Sequence, residues 1–238
     1  MGDGVKKMLT RNEIKSIAMV TMTLNHFAIL FLPMGLWRTI LVNMGYFTAP
    51  VMCFFLVEGV AKTSSVKRYA GRLAFFAAAS QLPFCLAFSP GPFVFVGMNM
   101  IFTLFCCVLL LLVRQAPWPP LGKALLGAGI VCLTAESDWA FVAPAYTLCF
   151  AWAGREKKKQ AMAFFVGTAL FFLLQWVSSD GHVVSALGAV VAPFVAAWML
   201  VCWYTGKKSR QPNRDGRWGF YLYYPLHLLG LALGARLV

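Results

Sequence analysis

Residues 14–32 read IKSIAMVTMTLNHFAILFL, and the fold follows from the composition of that stretch. After Lys15 it holds no formal charge, and its length is close to the ~20 residues an α-helix needs to cross a hydrocarbon layer. One polar ring interrupts it, His26, with Asn25 beside it. An imidazole inside a membrane-spanning helix is costly and by default marks a functional site. The chain has only three histidines. A second, His227, also lies in an apolar stretch, FYLYYPLHLLGLAL at 220–233. The first stretch is longer than the apolar core of a signal peptide, and no small-x-small cleavage pattern follows it. It is expected to remain as an anchor.

The pattern repeats along the 238 residues, which are 60% hydrophobic and 12% charged with a mean hydropathy of +0.72. Soluble domains carry roughly 25% charged residues. An all-α polytopic membrane protein is expected, with 1–238 forming a single integral-membrane domain. Nine apolar stretches are long enough to be candidate spans: 14–32, 39–60, 69–88, 98–113, 121–135, 139–153, 161–178, 182–204 and 219–237. The fifth and sixth are short and also fit a re-entrant pair. Turn-rich segments separate the stretches, among them SPGP at 89–92, APWPP at 116–120, SSDG at 178–181 and TGKKSRQPNRDGR at 205–217.

The formal charge of +13 would suggest a nucleic-acid partner in a soluble protein. Here the cations fall in short loops, so no nucleic acid is expected. Nine spans put 19 of the 21 Lys and Arg on one side, leaving only Arg38 and Arg236 on the other with Glu136, Asp138 and Asp180. The positive-inside rule then sets the N-terminus in the cytoplasm and the C-terminus outside. Trp37, Trp118, Trp139, Trp176, Trp203 and Trp218 fall at predicted span ends, as an aromatic belt requires. The seven cysteines lie in apolar stretches with no CxxC spacing and read as small buried hydrophobes, so no metal site is expected. No internal repeat of the secondary-transporter kind is evident.

Lys15 and His26 are eleven residues apart. Eleven residues turn a helix through ~1100°, about 20° from whole turns, and rise roughly 16 Å, so both share one face. On that wall Lys15 marks one mouth and His26 lies past mid-membrane, where a neutral imidazole can act as general base. A purely structural hydrogen bond to a neighbouring helix is the other reading. Arg68 and Arg72 form an i, i+4 pair at the start of the third stretch and fit phosphate oxygens, or else snorkel to lipid head groups. Glu58 is expected to pair with Lys62 or with Arg72. Gln81 and Asn99 need polar partners in lipid and are candidates to hold a ligand or the histidine. His227 reads as a helix–helix hydrogen-bonding group or a fallback base, and His182 as an interfacial residue. Glu136 and Asp138 face the side opposite the cations, where a cationic acceptor or solvent alone would account for them.

At these residues the chain resembles the TraX family, whose name-giving member acetylates the N-terminus of F-pilin. The matching stretches are IKSIAMVTMTLNHFAILFLP (14–33), FTAPVMCFFLVEGVAKT (47–63), KRYAGRLAFFAAASQLPF (67–84), GMNMIFTLF (97–105) and FYLYYPLHLLGLAL (220–233). The family resembles a wider group of transmembrane acyltransferases with a basic residue, ten intervening positions and a histidine in the first helix, plus an arginine pair near the third. Lys15, His26, Arg68 and Arg72 match that pattern. One departure is Asn25, where the family usually has Asp before the histidine.

The resemblance implies an integral acyltransferase-like protein of the bacterial plasma membrane, with lipid around it. It would move an acetyl group from cytoplasmic acetyl-CoA to an amine or hydroxyl, on a pilin-like N-terminus or another envelope or exported substrate. It implies His26 as catalytic base and Lys15, Arg68 and Arg72 as the CoA-binding cations, supported by Asn25, Glu58, Gln81, Asn99 and His227. Two alternatives from other classes are a small-molecule transporter and a non-catalytic assembly factor for a conjugation or secretion system. Few intramembrane carboxylates are present to couple proton transport, and a scaffold has no need of converging histidine and basic residues.

Overall fold

The computed structural model describes residues 9–89, 91, 93–204, 206 and 214–237, with the side chains of 214–217 outside the description. The predicted cytoplasmic cations Lys6, Lys7, Lys207, Lys208 and Arg210 lie outside the described residues, as do the side chains of Arg214 and Arg217. The described chain is all α. Its helices are α1 (Arg11–Phe31), α2 (Leu36–Gly45), α3 (Thr48–Lys62), α4 (Val66–Phe88) and α5 (Met100–Gln115), then α6 (Pro120–Leu133), α7 (Val142–Ala153), α8 (Lys157–Ser178), α9 (Val183–Trp198) and α10 (Arg214–Ala235). A π-helical turn, Met199–Trp203, extends α9.

Each predicted stretch is helical over most of its length. Five segments are long and apolar enough to cross a membrane: Arg11–Phe31, Leu36–Lys62, Val66–Phe88, Lys157–Ser178 and Val183–Trp203. Met100–Gln115, Pro120–Leu133 and Val142–Ala153 are shorter apolar helices. Large apolar side chains such as Val20, Phe75, Leu125, Phe165 and Val184 are exposed along the helices, as lipid-facing surfaces require.

Local chemistry sets the boundaries. Thr10 and Glu13 form a reciprocal capping box at the start of α1, and Leu32 and Pro33 end it in extended backbone. The second predicted span is two helices rather than one. Pro50 has no N–H to give the Tyr46 carbonyl and its ring would collide with it, so the chain breaks at Tyr46–Phe47. The amides there bond three residues back, to Asn43 and Met44. Ser65 caps α4 by accepting from Arg68 N–H, and Asn99 caps α5 by accepting from Ile101 and Phe102.

Polar stitches then join the helices. Thr48 Oγ1 donates to the Ala18 carbonyl at 2.8 Å, tying α3 to α1. Thr23 Oγ1 gives its proton to Met19 O, so the Tyr223 hydroxyl donates to it across 2.7 Å, tying α10 to α1. The core is aromatic, with Phe54, Phe150 and Phe164 packed edge and face around buried Tyr146. Two cysteines depart from the buried-hydrophobe expectation: Cys132 and Cys202 are exposed, while Cys53, Cys85, Cys106 and Cys107 are buried.

Helices α7 and α8 meet where Gly167 faces Tyr146, whose hydroxyl bonds Thr168 at 2.7 Å. A Cβ on Gly167 would lie inside the tyrosine ring, whereas one on Gly129 of α6 meets nothing. Gly167→Ala should therefore lower stability by about 1–3 kcal/mol through overpacking. Gly129→Ala should be neutral or slightly stabilising, since alanine is the better helix former. Unfolding midpoints of the purified variants in detergent check the pair, and an unchanged Gly167→Ala midpoint would contradict the packing.

Candidate functional site

The ends of α1 and α4, the start of α5, the α2–α3 break, the α6–α7 turn and Tyr224 of α10 enclose a cavity of about 330 Å³. Its walls are largely apolar, with Met22, Ile29, Val42, Phe84 and Phe88 among them. His26, only 7% exposed, lines it.

His26 is bonded to His227, and the bonds assign their protons. His227 Nδ1 lies 3.0 Å from the Tyr223 carbonyl, four residues earlier on α10. A carbonyl only accepts, so Nδ1 of His227 carries the hydrogen and Nε2 of the neutral ring is a lone pair. That Nε2 lies 3.0 Å from His26 Nδ1, which is then the donor. The sequence of bonds leaves Nε2 of His26 unprotonated. The rings are held by stacking as well: His26 and His227 are 8° from parallel, Tyr223 stacks on His227, and Phe88 meets His26 edge-on at 5.2 Å. A base whose other nitrogen is fixed by a hydrogen bond is the arrangement general-base chemistry needs. His227 is thus bonded directly to His26, and the two histidines of the apolar stretches meet in one place.

Asn25 does not share that work. One residue along a helix is about 100° around it, and the Asn25 amide donates to the Val42 carbonyl at 2.7 Å instead. It packs on Gly45, where no Cβ has room. The residue standing where the family usually has Asp therefore locks α1 to α2 and makes no bond to the imidazole.

A carboxylate enters from elsewhere. Asp138, placed by sequence on the side opposite the cations, lines the histidine cavity. Its backbone is clamped on both sides: its N–H donates to Met98 O at 2.9 Å, and its carbonyl accepts from Thr103 Oγ1 at 2.7 Å. Trp139 and Phe141 beside it adopt positive φ of 62° and 58°, strained values for aromatic residues. This backbone turns Trp139 inward, stacked on Phe171 at 4.8 Å, so Trp139 belongs to the cavity wall. Burial pushes the Asp138 carboxyl up to about 6, opposed by the Trp139 N–H that favours its charged form. Among the described residues, none of the ion pairs includes it.

The basic residues gather at the opposite end of α1. Glu58 accepts from Lys62 at 2.6 Å and from the Tyr204 hydroxyl at 2.8 Å, and lies 3.7 Å from Arg11 Nε. The pairing with Lys62 holds and the Arg72 alternative does not, because Arg11 occupies the other side. Arg11 Nη2 also donates to Phe55 O, yet its buried Nε has no hydrogen-bond partner. Lys15 Nζ sits 5.0 Å from the Phe220 ring centroid, and Arg72 lies over Tyr69 at 5.5 Å. Neither makes a hydrogen bond among the described residues, so both keep donors for an anion. Arg68 is exposed one turn before Arg72. These cations and His26 do not share a cavity, since buried Ala18 and Met22 fill the α1 face between Lys15 and His26.

Gln81 and Asn99 bond to each other and to the main chain, and the imidazole is not among their partners. Gln81 Oε1 accepts from Asn99 Nδ2 at 2.8 Å, Gln81 Nε2 donates to Gly97 O, and Asn99 Nδ2 also reaches Ala77 O. They join α4 to the start of α5 and shape the cavity wall indirectly. Arg11, Tyr204 and the cavity tyrosines Tyr46 and Tyr224 were not singled out by sequence. Arg11 had a readable signal, lying one helical turn before Lys15, while the tyrosines and the position of Asp138 depend on turns that no spacing reveals.

Comparison with known proteins matches the "TraX protein" family model over residues 10–234. A relative named "Probable fimbrial assembly protein FimC, serogroup H1", from Dichelobacter nodosus, is 32% identical over 231 residues, covering 91% of each chain. No solved structure matches. The family match spans the capping box of α1, the histidine pair and the Asp138 turn alike, and the chain belongs to the TraX family.

Proposed function

We propose that this membrane protein is an acetyltransferase that takes its acetyl group from cytoplasmic acetyl-CoA and passes it to an amine or hydroxyl acceptor, on a pilin-like N-terminus or another exported substrate. The observation that carries the reading is the His26–His227 bond, which leaves an unprotonated Nε2 on a histidine that lines a ligand-sized cavity. His26 takes the acceptor's proton, and His227 fixes the tautomer and shares the charge that forms. CoA supplies the activated acetyl thioester. Lys15 and Arg72, with their unspent donors, suit its phosphates, and Arg68 extends the patch. The relative's name favours a second reading, a non-catalytic assembly factor, which requires no base at His26.

In this proposal nine helical segments cross the bacterial plasma membrane with the N-terminus in the cytoplasm and the C-terminus outside, and the cavity opens nearer the outer face. Reporter fusions after positions 64, 115, 157 and 210 should report cytoplasm, and those after 92, 137 and 180 the outside. An inverted signal at 64, 92 or 115 would break this arrangement, and disagreement at 137 alone would make α6 and α7 a re-entrant pair.

With labelled acetyl-CoA and membrane extract, His26→Ala should keep CoA binding and lose transfer by a factor of about 10²–10⁴. His227→Ala should lose nearly as much, and the double variant should be no worse than His26→Ala, because residues acting as a unit are not additive. His227→Gln should recover part of the rate, since an amide oxygen accepts the His26 N–H. Near-parental transfer by His26→Gln would end the catalytic assignment.

Arg72→Ala should weaken CoA binding by roughly 10–100-fold, the scale of a lost charged hydrogen bond of about 1.5–3 kcal/mol. Arg72→Lys should restore it only partly, because a point charge lacks the planar fork, and Arg68→Ala should matter less. Equilibrium binding of CoA to the purified variants decides this, and parental affinity in Arg72→Ala would move the donor site elsewhere.

A further inference from the structure

Among the described residues, the cavity's charge has no counterpart on its wall. Asp138 is the acidic residue on its wall, and no Lys or Arg lines it. An unpaired carboxylate in an apolar, ligand-sized space is costly, and a cation entering with the ligand removes that cost. The backbone holds Asp138 there against its own strain: its N–H donates to Met98 O and its carbonyl accepts from Thr103, while Trp139 and Phe141 keep positive φ. Backbone strain of that kind persists only where the surroundings impose it, most often at functional sites. Tyr224 adds to the cavity's polarity. Its oxygen accepts the Met100 N–H at 3.4 Å, which leaves its own proton for an occupant.

Resting on the acetyl-transfer reading above, we infer that Asp138 is the specificity-determining residue for the acceptor, holding a primary ammonium against His26 and disfavouring a neutral alcohol. The proton count agrees. An ammonium must lose two protons to become an amide, whereas an alcohol loses one to become an ester. His26 Nε2 takes the first, and the freed nitrogen lone pair attacks the thioester carbonyl. The N–C bond forms, the C–S bond breaks, and the second nitrogen proton passes to Asp138. The departing CoA thiolate takes the proton from His26 and leaves as the thiol, and Asp138 releases its proton to solvent. The products are the amide, CoA thiol and one proton, and no redox change occurs. The cavity contains two proton acceptors for two protons.

The test uses the full-length protein in nanodiscs with hexylamine and hexanol as probes, whose shared alkyl chain suits the apolar walls and whose heads differ in charge. Binding is read from Trp139 fluorescence against a Trp139→Phe blank, and transfer from CoA release. Parent protein should bind hexylamine at least ten-fold more tightly than hexanol at neutral pH. Asp138→Asn should abolish that preference while binding hexanol as before, and Asp138→Glu should restore part of it. Equal binding of the two probes by the parent, or an unchanged preference in Asp138→Asn, would overturn the assignment without any need for turnover. If Asp138→Asn does not fold, the parent's own preference and Asp138→Glu still decide. Preference for hexylamine without CoA release would leave the cation site standing and remove the acetyl-transfer reading alone.

Discussion

One hydrogen bond, from His26 Nδ1 to His227 Nε2, joins the first helix to the last. Hydrogen bonds between helices in lipid contribute about 0.6–2 kcal/mol, little for the cost of burying two imidazoles. Apolar residues at both positions would close α1 on α10 at least as well. The bond does what an apolar contact cannot, which is to set which nitrogen is protonated. Because the Tyr223 carbonyl can only accept, a main-chain group of α10 decides the protonation of a ring on α1. The packing around the pair serves that end: Tyr223 stacks on His227 and ties to Thr23, and Phe88 closes over His26.

Helical positions were legible because apolar length and Pro/Gly punctuation act locally. Each predicted stretch coincides with a helix, and the errors lie where a non-local or stereochemical constraint won. Pro50 split the second stretch through a carbonyl it cannot satisfy. Positive φ at Trp139 and Phe141 sets the turn before the sixth, bringing Asp138 and Trp139 to the cavity. The Lys15–His26 spacing correctly placed both on one face of α1, since helical phase is a property of sequence alone. It could not show that Ala18 and Met22 pack shut between them. Asn25 was the opposite case: its neighbourhood to His26 in sequence suggested a shared site, while a 100° step sent its amide to α2.

The polar residues at the two ends of α1 differ in how they are satisfied. Near Thr10, a single carboxylate, Glu58, gathers Lys62, Tyr204 and Arg11, and the surplus of cations over Glu58 leaves Lys15 and Arg72 held only by aromatic rings. A ring face attracts a cation but does not occupy its hydrogen-bond donors. Near His26 the imbalance is reversed, with a carboxylate and no cation. Gln81 and Asn99 show that the fold can satisfy buried polar groups completely where it has no other use for them.

In the proposed reading, two unsatisfied sites of opposite sign, separated by roughly 16 Å of one helix, take two ligand groups of opposite sign. A donor with phosphates at one end and an acceptor with an ammonium at the other meet that demand, and the distance between them is a length an extended carrier arm spans. Ala18 and Met22 occupy the intervening face, and of the two only Met22 has a side chain long enough to swing aside for a carrier that reaches His26. Methionine has three rotatable side-chain bonds and repacks at low cost. A β-branched or aromatic residue there would make the same wall rigid. The barrier between donor and base thus rests on the side chain in this wall most easily moved.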